Sequence, residues 1–384
     1  MTYDFDTPVD RRGSGSYKWD SDRSPGLLPL WVADMDFRTA PAITEALAAR
    51  VAHGIFGYTL VGDEYYKAVV DWFSRRHNWE IDPRKIIYTS GVVPAISAII
   101  KALTRPGDKV LVQTPVYNCF FSSIRNNGCQ AVECPLIPCR MDFDALATAA
   151  ADPGARLLLL CNPHNPAGRA WTAEELTTLG EICHANGVRV VSDEIHCELV
   201  FAPARHIPFA SLPGEASDEA IVCISPSKAF NIAGLQIANI VCPDPEVRAA
   251  VDRAINDNEV CDVNPFGVAA TVAAYNHGEE WLAQLIDYIH ANYEFMADYC
   301  RRHLPELPLA RLEATYLVWM DCRRLAMTSE SIEQQLLSDS ALWLNAGTMY
   351  GAAGEGYMRW NIATQRSVLA EALERFRKWA RQRL

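Results

Sequence analysis

The sequence predicts an α/β fold: a mostly parallel seven-stranded sheet with helices on both faces, and a smaller α+β domain beside it. Two observations carry this. Between about residues 60 and 245 short apolar runs alternate with amphipathic stretches, the pattern expected when each strand is followed by a helix that packs back on the sheet. After about residue 244 the rhythm changes to long helices, over Asp244–Asn256, Pro265–His277 and Glu279–His303, and then to a few strands and a last helix. The 384 residues exceed the size at which one core stops growing, so two domains are expected. The large one is assigned residues 46–282, and the small one residues 283–384 together with the N-terminal segment 1–45.

In chain order the expected strands are Lys85–Thr89, Lys109–Gln113, Gln130–Cys134, Arg156–Cys161, Val188–Ser192, Ala220–Ser225 and Gln236–Cys242. Helices fill the intervals. Over Thr172–Asn186, for example, Thr172 caps, Glu174 and Glu175 suit the positive end of the helix dipole, and Gly187 supplies the exit.

The bulk numbers exclude several function classes. A composition of 49% hydrophobic and 21% charged residues is that of a chain folded throughout. The net charge of -12 opposes binding to nucleic acid or an anionic membrane surface. The basic tail of Arg375, Arg377, Lys378, Arg381 and Arg383 is expected to be the wet face of an amphipathic last helix. Twelve cysteines stand singly, several inside apolar runs, with no Cys-x-x-Cys pair, and are expected to be buried free thiols. The N-terminus lacks the basic start and apolar stretch of a signal peptide, and no apolar run approaches a membrane span, so a cytoplasmic location is expected.

In open α/β sheets ligands bind beyond the carboxyl ends of the strands, and the residues just after these strands are unusual. Ser90, Gly91 and Val92 open a helix whose free N–H groups suit a phosphate. Tyr117, in Thr114-Pro115-Val116-Tyr117, brings a ring able to stack on a flat heterocycle. Two Asn-Pro pairs in 162–168 force an extended path that aims Asn165 outward. Asp193 ends an apolar strand, where a carboxylate is costly unless a cation waits for it. Lys228 sits among hydroxyls in Ser225-Pro226-Ser227-Lys228.

Together they specify a chemistry. A lysine amine can form a Schiff base with an aldehyde cofactor, and pyridoxal 5′-phosphate (PLP) also needs a carboxylate to hold its ring nitrogen protonated. Lys228 and Asp193 fit those roles, Asn165 and His196 suit the phenolic oxygen, and Tyr117 suits the ring face. Ser90, Gly91, Val92, Ser225 and Ser227 suit the phosphate. A metal centre built on Asp193, Glu194, His196 and Cys197 is disfavoured, because the spacing matches no zinc pattern and strand alternation separates neighbours.

Along nearly its whole length the chain resembles the fold type I PLP enzymes, the aspartate aminotransferase superfamily. The matching segments, in order, are TSGVVPAI, TPVY, NPHNPAG, SDEIH, SPSKAFNIAG and RWNIA. Within the superfamily it is most similar to the MalY/PatB-type cystathionine β-lyases, through LPLWVADMDF (28–37), FGYT (56–59), SDEIHCELVF (192–201) and NIAGLQ (231–236). Gln236 stands where many aminotransferases place an arginine, and His196 where the wider superfamily often has tyrosine. Both departures favour the lyase branch.

The resemblance implies a homodimer with shared active sites, in which Tyr58 reaches the cofactor phosphate of the neighbouring chain and also meets substrate. It implies that Arg359 grips the substrate α-carboxylate in bidentate fashion, with Ala33 and Asn165 also at the substrate. Lys228, Asp193 and Tyr117 are the catalytic candidates, and Trp31, Tyr117 and Asn264 are candidate pocket liners. The implied reaction is α,β-elimination from an L-cysteine S-conjugate such as cystathionine, giving a thiol, pyruvate and ammonia. An aminotransferase of a small amino acid uses the same residues, and a regulator acting through protein contact is the reading from another class.

Overall fold

The computed structural model describes residues 2–22, 24–257 and 262–384. The chain enters through a short strand, β1 (Leu28–Pro29), and the helix Pro41–His53. Seven strands follow: β2 (Ile86–Thr89), β3 (Lys109–Val112), β4 (Gln130–Glu133), β5 (Ala155–Cys161), β6 (Arg189–Asp193), β7 (Ile221–Ile224) and β8 (Ala238–Val241). They make one sheet in the order β2-β8-β7-β6-β5-β3-β4. Neighbours among β3 to β7 run parallel, whereas β8 is antiparallel to both β7 and β2. The α/β class and the mostly parallel seven-stranded sheet are thus as the sequence predicts. The last strand starts later than expected because Gln236 turns the chain in the left-handed region, with φ 52°.

The inner strands are apolar on both sides because both sides are covered. On one face Val110, Leu159, Val191 and Ile240 pack with Ile96 and Ile99 of the helix Val92–Leu103. On the other, Leu111, Leu158, Leu160 and Val190 pack with Leu176 and Leu179 of the helix Ala173–Ala185. Each such side chain contributes about 1.5–3 kcal/mol of burial. The second helix starts as predicted: the Thr172 hydroxyl accepts from Glu175 N at 3.1 Å, and Thr172 N donates back to the Glu175 carboxylate at 2.9 Å.

Beyond the sheet come the helices Pro245–Asn256, Pro265–His277 and Glu279–His303. Then follow β9 (Leu317–Asp321), β10 (Leu342–Trp343), β11 (Asn345–Ala346), β12 (Tyr357–Asn361) and the final helix Arg366–Arg381. Strand β12 lies between β11 and β9, antiparallel to both, while β10 pairs in parallel with β1 and ties the N-terminal segment to this region. The positions 45/46 and 282/283 both fall inside continuous helices, Pro41–His53 and Glu279–His303. The basic residues of the last helix are paired along its surface, Arg377 with Glu374 at 2.6 Å and Arg381 with Glu306 at 3.0 Å. The eleven described cysteines are free thiols, nine of them buried. Among the described residues no helix is long and apolar enough to cross a membrane.

The N-terminal segment brings a buried charge into the fold. Lys18 is 0% exposed, and its ammonium lies 2.8 Å from Asp36 and 3.8 Å from Asp34. Arg11 bridges the same two carboxylates, and Trp19 Nε1 donates to Asp36 at 2.8 Å. Burial raises the Asp36 pKa, but the Lys18 cation and its hydrogen bond, the Trp19 hydrogen bond and the Arg11 cation together outweigh it and hold the carboxyl below its ordinary value. Replacing Lys18→Met leaves Asp36 buried with less compensation and is expected to cost about 3 kcal/mol in urea unfolding. The double variant Lys18→Met, Asp36→Leu should recover part of that loss.

Candidate active site

The carboxyl ends of β2, β3, β5, β6 and β7 open on one cleft of about 500 Å³, closed from the other side by residues 31–33 and by β11 and β12. Of the residues singled out from sequence, Trp31, Ala33, Ser90, Gly91, Val92, Tyr117, Asn165, Asp193, His196, Ser227, Lys228 and Arg359 line it.

Asp193 is the last residue of β6 and is buried. It accepts a hydrogen bond from Ile195 N at 3.1 Å and forms no ion pair among the described residues. Burial pushes its carboxyl up to about 7, the neighbouring Glu194 adds to the rise, and Lys228 opposes it from a distance. Glu194 faces the protein interior instead, meeting Ser192 Oγ at 2.8 Å, Phe209 N at 2.8 Å and His206 Nε2 at 2.9 Å. Strand alternation thus gives one carboxylate to the cleft and the other to the interior.

Lys228 follows β7 and donates from Nζ to the Ala33 carbonyl at 2.7 Å. Burial lowers its pKa, and the Arg359 cation lowers it further against the pull of Asp34 and Asp193. Its loop is pinned three residues on, where Asn231 accepts from Met35 N and donates to the carbonyls of Met35 and Phe37. Arg359, on β12, is buried, with Nη2 2.5 Å from the Trp31 carbonyl and Nη1 3.3 Å from Asn165 Oδ1. Among the described residues its Nε is buried without a hydrogen-bond partner, and its guanidinium lies 4.8 Å from the Tyr350 ring centre.

His196 is buried with Nδ1 unpartnered among the described residues, and burial together with the Lys228 and Arg359 cations pushes it down to about 3. The imidazole is therefore neutral at pH 7. Burial raises the Tyr117 phenol well above its ordinary value, so it stays protonated. The helix Val92–Leu103 begins at Gly91 with no side-chain cap, leaving first-turn N–H groups for an anion.

Two expectations change. Ser225 does not line the cleft: its hydroxyl lies 2.6 Å from the Ile237 carbonyl and 2.8 Å from Ser227 Oγ, so it supports Ser227 from behind. Asn264 is not a liner either. It caps the helix Pro265–His277 through Phe266 N at 3.0 Å and donates to the Leu235 carbonyl at 2.8 Å. Tyr58 is 98% exposed and stands clear of its own chain's cleft. Conversely, Tyr17, Cys119, Asn345 and Tyr350 line the cleft without having been singled out. Cys119 was findable two positions after Tyr117, and Asn345 follows only from its pairing with Arg359 in the β11–β12 ladder.

A metal does not suit the Asp193 edge, given the interior hydrogen bonds of Glu194. Elsewhere His77, Cys197 and Glu198 gather their ligand atoms within 4.8 Å. There Glu198 already accepts from Trp72 at 2.6 Å and His77 at 2.7 Å and pairs with Arg76 at 3.2 Å, so its charge is met by protein.

PLP fits the cleft on the chemistry of these groups. A buried carboxylate with no cationic partner matches a protonated pyridine nitrogen, an amine of lowered pKa matches an aldehyde, and an unpartnered neutral His196 nitrogen can meet a ring oxygen. The uncapped helix start and Ser227 suit the phosphate.

Residues 26–376 match the model of the family described as aminotransferase class I and II. The chain is 41% identical to cystathionine β-lyase PatB of Bacillus subtilis, over 97% of this chain and 98% of that one. It is 33% identical to protein MalY of Escherichia coli over 97% of both. Among solved structures it matches cystalysin from Treponema denticola, which contains PLP, with a TM-score of 0.96, 34% identity and 100% of both chains covered. On a family match over most of its length and a full-length relative at 41% identity, this chain belongs to the aminotransferase class I and II family of fold type I PLP enzymes, in the PatB and MalY branch.

Proposed function

We propose that the protein is a carbon–sulfur β-lyase that cleaves L-cystathionine or related L-cysteine S-conjugates. The observation that carries the chemistry is one cleft holding the Lys228 amine, the unpaired Asp193 carboxylate and the Arg359 guanidinium. Near full-length likeness to PatB supports elimination over transamination. PLP, when bound, supplies an electron sink for the charge left on the substrate Cα.

The protein's own groups do the rest. Arg359, already oriented by the Trp31 carbonyl and Asn165, takes the α-carboxylate in a charge-assisted pair. Lys228 would hold the cofactor in the resting enzyme, and its free amine is the group placed to take the proton from the substrate Cα. Burial makes that amine a weaker proton holder than a surface lysine, so more of it is free base near neutral pH. Asp193 would keep the ring nitrogen protonated, Ser90, Gly91, Val92 and Ser227 would hold the phosphate, and Tyr117 would cover the ring. Loss of the Cα proton and cleavage of Cβ–S release the thiol. Addition of water to the three-carbon remainder gives pyruvate and ammonia, so that RS-CH2-CH(NH3+)-COO− and H2O become RSH, pyruvate and NH4+.

The active form is proposed to be a homodimer in the cytoplasm, with Tyr58 crossing to the neighbouring phosphate. Its full exposure in one chain supports this. The test is pyruvate release from cystathionine by purified, PLP-loaded protein with no 2-oxo acid added. Pyruvate under those conditions is expected, whereas turnover that appears only with an added 2-oxo acid identifies an aminotransferase.

A further inference from the structure

We infer that Tyr316 is a positioning residue for the Lys228 amine: its hydroxyl holds the Ala33 carbonyl in place as the acceptor on which that amine rests whenever it is off the cofactor. This rests on the lyase reading of the cleft and adds a residue to it.

Two donors meet on one backbone oxygen. Lys228 Nζ donates to the Ala33 carbonyl at 2.7 Å, and the Tyr316 hydroxyl donates to the same oxygen at 2.9 Å. A carbonyl has two lone pairs, so the two bonds coexist. Burial raises the Tyr316 phenol well above its ordinary value, which keeps the hydroxyl protonated and a donor. The tyrosine is buried, does not line the cleft, and is itself fixed. It directly precedes β9, its carbonyl accepts from Ile362 N at 2.9 Å just beyond β12, and its ring meets the His196 ring edge-on with centres 5.9 Å apart.

The Ala33 carbonyl needs such a hold. Residues 31–35 form no helix or strand, and side chains fix their carbonyls one at a time, Arg359 and Asn345 at residue 31 and Asn361 at residues 32 and 34. At residue 33 the side-chain donors among the described residues are Lys228 and Tyr316. While PLP occupies the Lys228 nitrogen, Tyr316 is the one that remains. Once free, Lys228 is a side chain of several rotatable bonds that must bring its nitrogen to the substrate Cα. An acceptor kept in place narrows that search, and an N–H given to a carbonyl leaves the nitrogen lone pair available for the proton.

The test is Tyr316→Phe, which removes one oxygen and keeps the ring. Its control is Tyr293→Phe, whose hydroxyl donates to the Ala310 carbonyl at 3.2 Å and which does not line the cleft. Two quantities are measured on PLP-free protein. One is the affinity for pyridoxine 5′-phosphate, which carries an alcohol in place of the aldehyde. The other is the rate at which added PLP becomes bonded to Lys228, the amine condensing with the aldehyde and water leaving. Tyr316→Phe is expected to slow the condensation by about fivefold and to keep the analogue affinity within about twofold. In the loaded enzyme kcat for pyruvate is expected to fall about tenfold with KM within about twofold. Tyr293→Phe should change none of these. An unchanged condensation rate or kcat overturns the inference, as does a loss of analogue binding that matches the loss of rate, because that marks general damage to the site. A second measurement needs no variant: the structure of the wild-type protein with PLP and L-alanine, a substrate head without a leaving group. The freed Lys228 Nζ should lie within hydrogen-bond reach of the Ala33 oxygen, and an amine resting elsewhere overturns the inference. A wild-type protein that makes no pyruvate overturns the lyase reading, and the condensation rate then decides the role of Tyr316 by itself.

Discussion

Replacing Lys228 with alanine is expected to cut pyruvate formation by about 10²- to 10⁴-fold, the range a positioned general base supplies. The variant loses the group that takes the Cα proton and the amine that tethers the cofactor. It should still bind PLP, because the helix start at Gly91, Ser227 and Asp193 remain. The check is a dialysed preparation assayed for bound PLP and for pyruvate side by side. Retained cofactor with lost turnover is the expected pair of results. Full activity in the variant removes Lys228 from the mechanism, and a regulatory role through protein contact would then be the reading to pursue.

Asp193→Asn is expected to move activity and stability in opposite directions. Activity should fall by about 10²-fold or more, because an amide does not hold the ring nitrogen protonated. The stability argument concerns the protein without PLP. There the Asp193 carboxyl is pushed up to about 7 by burial. A carboxyl whose folded pKa lies above its unfolded value stabilises the fold at low pH, and that contribution is lost as pH rises from about 4 through about 7. PLP-free wild type should therefore lose ground to PLP-free Asp193→Asn across that window, ending less stable by about 2–4 kcal/mol at pH 8. Urea unfolding at pH 5 and pH 8 measures the difference. PLP should reverse the order, since a pyridinium beside Asp193 supplies the missing cation. Equal stability of the two proteins at both pH values would mean that Asp193 is already compensated by protein.

Most of the sheet was legible because its strands are covered on both faces. A run such as Arg156–Cys161 has no wet side to interrupt it, and its apolar length sets its limits. The chemistry was legible for a related reason: Asp193, Asn165 and Lys228 are polar residues directly after apolar strands, where the fold alone gives them no purpose. Strand limits were less legible, as at Val188–Ser192 against the observed Arg189–Asp193, because pairing with β5 carries the ladder one residue further. Asn264 was misassigned although Asn264–Pro265 is itself a helix-start signal. The remainder of the cleft is tertiary. Tyr17, Asn345 and Tyr350 arrive from segments far from Lys228 in the chain, and no local period marks them. The buried partnership of Lys18 with Asp36 was invisible for the same reason, since each residue alone resembles an ordinary surface charge.

The stretch from Trp31 to Asp34 holds the machinery through its main chain. The carbonyls of residues 31 and 33 receive Arg359 and Lys228, and those of residues 32 and 34 receive Asn361. Oxygen atoms of the backbone are common to every amino acid, so drift at these positions can alter what the enzyme prefers while leaving its reactive core in register. Spacing has no such latitude. One residue inserted or deleted between Leu30 and Asp36 would displace acceptors for three side chains at once. Across descendants of such a chain, this short run should stay constant in length.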